Sequence, residues 1–67
     1  MIQAMFFATF EYDEEIQARE DLDLLWERKF GGEMALKPSG DGRWFLELGL
    51  EKEPTQNVLE KLRGKRI

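Results

Sequence analysis

The sequence predicts an α+β domain with the element order βαββα. Three observations predict it: an extended aromatic-rich start, apolar residues at helical spacing between positions 14 and 30, and a turn-forming stretch that joins two alternating segments. In the first stretch Ile2, Ala4, Phe6, Ala8, Phe10 and Tyr12 share one face of an extended chain, while Met5 and Phe7 point to the other. No Gly or Pro interrupts the run, so a strand is expected over residues 2–11.

Asp13 is expected to cap a helix over residues 14–30, with Glu14 and Glu15 favoured at the positive end of its dipole. Ala18, Leu22, Leu25 and Trp26 fall on one face, with Phe30 at its edge and the stem of Lys29 alongside. Arg28 and Lys29 complement the last turn, and Gly31-Gly32 should stop the helix. Ile16 and Leu24 miss that face, Leu24 lying roughly opposite its centre, and Leu24 is read as an exposed leucine.

Residues 33–37 read as a second strand with Met34 and Leu36 inward, and residues 43–51 as a third. In the third strand Trp44, Leu46, Leu48 and Leu50 share one face, opposed by Phe45, Glu47, Gly49 and Glu51. Pro38-Ser39-Gly40-Asp41-Gly42 is dense in turn formers and joins the two as a hairpin. Pro54 and Thr55 open a second helix that turns Val58, Leu59 and Leu62 inward and stops at Gly64, with Ile67 expected to fold back on its end.

This order resembles the ferredoxin-like split βαβ pattern, βαββαβ, with its last strand missing. The resemblance implies a three-stranded antiparallel sheet with two helices on one face and a right-handed crossover. In the complete fold the spatial order is 4-1-3-2, so losing the fourth strand would leave strand 1 on an open edge with unpaired backbone groups. Antiparallel pairing of two such edges would build a six-stranded sheet across a two-fold axis.

Sixty-seven residues make one domain, 1–67, near the size at which burial on folding is marginal. With no cysteine and no histidine, disulfides and the usual zinc ligand sets are excluded as staples, leaving tight packing or oligomerisation. Hydrophobic content of 42% is too high for a disordered chain. No apolar run is long enough for a transmembrane helix, and the start lacks a signal-peptide pattern, so a soluble cytoplasmic protein with no membrane contact is expected. The net charge of −4 divides unevenly: residues 1–42 hold ten acids and four bases, residues 43–67 four acids and six bases. Polyanion binding across the whole surface is thus disfavoured.

Met5, Phe7 and Phe45 are the candidate interface, since all three fall on the sheet face away from the helices and would lie adjacent if strands 1 and 3 pair. RNA-recognition domains stack bases on such aromatics, but here the neighbours include Glu11, Glu47 and Glu51, and stacking normally accompanies a positive groove. Lys61, Arg63, Lys65 and Arg66 are the other polyanion candidate, set against a plain reading as cations at a helix end. Glu20, Asp23 and Glu27 form a carboxylate stripe that reads as a solvated face paired with Arg19 or Arg28. Gly40-Asp41-Gly42 lies in a hairpin turn rather than between strand and helix, so it is not a phosphate loop. Ser39 has no histidine or cysteine with which to form a nucleophile-base pair. The sequence therefore points to a non-catalytic domain without cofactor, a homodimer or partner of another protein, with nucleic-acid binding as the alternative function.

Overall fold

The computed structural model describes residues 6–67, so the expectations at Ile2, Ala4 and Met5 lie outside the described residues. The elements are β1 (Phe6–Tyr12), α1 (Glu15–Glu27), β2 (Glu33–Pro38), β3 (Trp44–Leu50), α2 (Gln56–Lys61) and β4 (Lys65–Arg66). They form a small α+β fold with one antiparallel sheet of order β2-β3-β1-β4. The expected three-stranded sheet is corrected by β4, which pairs Arg66 with Phe10 and Lys65 with Glu11. Two charged residues carry no alternation, so nothing in their sequence marks them as a strand; the edge of β1 draws them in by offering unpaired backbone groups. Ile67 continues this ladder by donating its N–H to the Thr9 carbonyl at 3.0 Å, instead of folding onto α2.

β3 is the spine of the sheet, pairing with β1 from Phe6–Leu50 to Tyr12–Trp44 and with β2 from Glu33–Gly49 to Pro38–Trp44. Phe6, Phe10, Tyr12, Leu46, Leu48 and Leu50 are buried in one cluster with Ala18 and Leu25 from α1 and Val58 from α2. Met34, Leu36, Trp44, Leu22, Phe30, Leu59 and Leu62 pack around it. The Thr55 hydroxyl caps α2 by accepting from the Val58 N–H at 3.4 Å, the bond its type favours at that position.

α1 departs from expectation at both ends and around its axis. Glu14 rather than Asp13 holds the N-cap position, without a side-chain cap. The helix ends at Glu27, three residues early, because Lys29 turns into the left-handed region (φ 56) and donates its N–H to the Trp26 carbonyl at 3.2 Å. Its buried face comprises Ala18, Asp21 and Leu25, with Leu22 packed against the core. At 100° per residue that face is rotated by about 50° from the expected one of Ala18, Leu22, Leu25 and Trp26. Trp26, expected inward, is 70% exposed, while Leu24, expected exposed, is half-buried.

The rotation sinks Asp21, 2% exposed, beneath the start of β4. Its carboxylate accepts from the Tyr12 hydroxyl at 2.5 Å and from the backbone N–H groups of Arg63 (2.8 Å) and Gly64 (3.1 Å). A buried carboxylate is tolerated because donors replace its water. Burial, the bond to Asp21 and the charge of Asp21 together push the Tyr12 hydroxyl far above its ordinary titration range. Gly64 is required here, since a Cβ would stand 2.4 Å from the Tyr12 ring. Gly32 is required for two reasons, a positive φ of 86° and a Cβ position 2.1 Å from the Gly49 carbonyl oxygen.

Candidate functional site

Two surfaces stand out, one on each side of the sheet. The face away from the core is read from the strand register as three rows of side chains. Glu33, Gly49 and Phe7 form the first; Ala35, Glu47 and Thr9 the second; Lys37, Phe45, Glu11 and Lys65 the third. By the same alternation Ile67 extends the second row beside Thr9.

Charge dominates one end of this face. Lys37 meets Glu47 at 3.0 Å and Arg43 meets Glu11 at 3.1 Å, so the half-buried Phe45 sits among ion pairs. The hydrogen bond and charge of Glu11, with Asp41 and Asp13 nearby, hold the Arg43 guanidinium above its ordinary value. At the other end Phe7 stands opposite Gly49, whose missing side chain leaves the ring uncovered; Phe7 is 70% exposed and Ile67 63%. A ring lying over a cross-strand glycine shields that backbone and so has a structural use of its own.

The register separates the aromatics that the sequence brought together. Phe45 faces Glu11, four residues along β1 from Phe7, so about 13 Å of strand lies between them. Phe7 and Phe45 are therefore not adjacent, and Met5 lies outside the described residues. The hairpin fixes how β2 meets β3, whereas nothing local fixes how β1 meets β3.

The basic C-terminal residues do not gather into one patch. Lys65 stands in the row of Glu11 on the open face, while Arg66 lies 5.3 Å from the centroid of the buried Phe6 ring. Arg63 reaches Glu20 at 3.6 Å, and Lys61 belongs to the last turn of α2. Of the carboxylate stripe, Glu20 thus pairs with Arg63, and Arg19 pairs with Glu15 at 2.7 Å. In the hairpin turn the Ser39 hydroxyl donates to Asp41, whose carboxylate also accepts from the Arg43 N–H at 3.2 Å; these bonds hold the Asp41 carboxyl below its usual range. Ser39 is thereby occupied in the turn.

The second surface is a cleft of about 300 Å³ on the core side, between the end of α1 and β2. Leu25, Trp26, Phe30, Met34 and Leu50 supply its apolar walls, and Lys29, Gly31 and Gly32 its rim. Nothing in the residue pattern warns of it, because both Trp26 and Phe30 read as filled core. A helix face is legible from spacing; the space left where a helix stops early is not.

No family model, curated protein or solved structure matches the chain. No helix among the described residues is long and apolar enough to cross a membrane.

Proposed function

We propose that the chain is a small non-catalytic binding domain that self-associates as a homodimer through the open sheet face at the start of β1. The observation that supports this reading best is Phe7, a large apolar side chain left 70% exposed beside Gly49 on a face that carries no helix. Ile67, in the adjoining row, extends the apolar end. β4 pairs only the second half of β1, leaving the edge beside Phe7 beyond the reach of the described strands. The strand order, read from the other edge as β4-β1-β3-β2, supports a ferredoxin-like layout with a very short fourth strand. The cysteine-free chain suits a reducing cytoplasm.

Sedimentation equilibrium at micromolar concentration tests the reading. The wild-type chain should sediment as a dimer, and Phe7→Glu as a folded monomer, because a buried unpaired carboxylate opens an interface rather than entering it. Phe6→Glu should instead unfold the chain, since Phe6 lies in the core. A wild-type monomer of 7.9 kDa, or an unchanged mass in Phe7→Glu, would refute self-association through this face.

A further inference from the structure

We propose that the cleft at the end of α1 binds a free medium-chain carboxylate, its alkyl chain against Trp26, Phe30 and Met34 and its head group on the Lys29 ammonium. The inference is independent of the sheet-face interface, which lies on the other side of the molecule. Its volume of about 300 Å³ falls at the lower bound of small-molecule sites, and its walls are apolar.

Lys29 carries the choice of head group. Among the described residues it is the only charged one lining the cleft. Lys29 forms no ion pair among the described residues, as is also true of Arg28, Lys52, Lys61, Lys65 and Arg66, but of these six Lys29 alone lines the cleft. Its backbone is also held at φ 56, a conformation that glycine adopts without cost, although two glycines stand only two and three residues further on. A side chain kept at a strained position, at the rim of an apolar cleft and without a partner of its own, points to a use for that side chain. A carboxylate complements it; a cationic amphiphile does not.

Tryptophan emission supplies the test, since Trp26 and Trp44 are the only two and Trp44→Phe leaves Trp26 as sole reporter. Decanoate below its micellar concentration should give a saturable blue shift, and decyltrimethylammonium should bind more weakly. Lys29→Arg should keep decanoate affinity, while Lys29→Gly should weaken it about fivefold, as expected for a solvent-exposed ion pair. Because glycine relieves the left-handed backbone, Lys29→Gly should at the same time raise the thermal midpoint, which separates lost binding from lost folding. Amide shifts of Gly31 and Gly32 in the wild-type chain provide the same titration without the tryptophan substitution. Absence of a saturable shift, equal affinity for the two amphiphiles, or undiminished binding by Lys29→Gly would each overturn the proposal.

Discussion

The middle of α1 and its C-terminal end solve the same packing problem in opposite ways. At Asp21 the helix is tied to β1 through the Tyr12 hydroxyl and to the segment before β4 through two backbone N–H groups. One and a half turns later Trp26 stands exposed beside an apolar cleft that no residue of α2 or β4 lines. The difference follows from the chemistry of each contact. A buried carboxylate is costly unless every donor stays within bonding distance, so the first site demands a closed, stiff neighbourhood. Apolar walls impose no such geometry, and six residues of α2 are too few to cover both places. The polar knot holds the fold together, and the apolar gap leaves room for a ligand.

A large effect is expected from cutting the knot. Asp21→Ala strands the Tyr12 hydroxyl and the Arg63 and Gly64 N–H groups without their acceptor, which should cost about 4 kcal/mol by urea denaturation. Glu20→Ala, one residue earlier, removes only an exposed ion pair with Arg63 and should change stability by about 0.5 kcal/mol or less. Equal effects from the two would mean that Asp21 is not the tie between α1 and the C-terminal segment.

Tyr12→Phe sharpens the same point at about 2 kcal/mol, the scale of one hydrogen bond to a charged group. It also carries a pH signature. The folded Tyr12 hydroxyl titrates far above the ordinary value of 10.0 that the unfolded chain returns to, so the folded state holds a proton that the unfolded state releases. Its contribution is fully present below pH 10 and is lost as pH rises beyond it. Denaturation midpoints measured from pH 8 to 11 should fall in the wild type at the upper end, and fall less steeply in Tyr12→Phe.

Asp21 also shows where the sequence stops being readable. The β2–β3 hairpin is found to within one residue, because alternation and a turn-rich segment are local signals. The outward direction of Phe7 follows from the inward Phe6 and Phe10 in the same way. A lone aspartate on a helix looks like a solvated one until its donors, 42 and 43 positions away, are known. Placing Trp26 inward turns the expected helix face toward the larger side chain and away from Asp21. β4 is recruited by an edge rather than by its own residues. The separation of Phe7 from Phe45 depends on a register between strands that no turn connects.

The open end of α1 tests that rotation. Leu25 is 1% exposed and part of the core, so Leu25→Ala should cost about 2 to 5 kcal/mol through lost transfer energy and the cavity it leaves. Trp26→Ala deletes a far larger side chain, yet should cost less than about 1 kcal/mol, because most of that surface already meets water and only its contact with the cleft is lost. Size alone would rank the two the other way. The order Leu25 above Trp26 in urea midpoints therefore reports the helix face directly. A costlier Trp26→Ala would restore the inward Trp26 that the spacing predicts and close the cleft, and with it the site for a carboxylate.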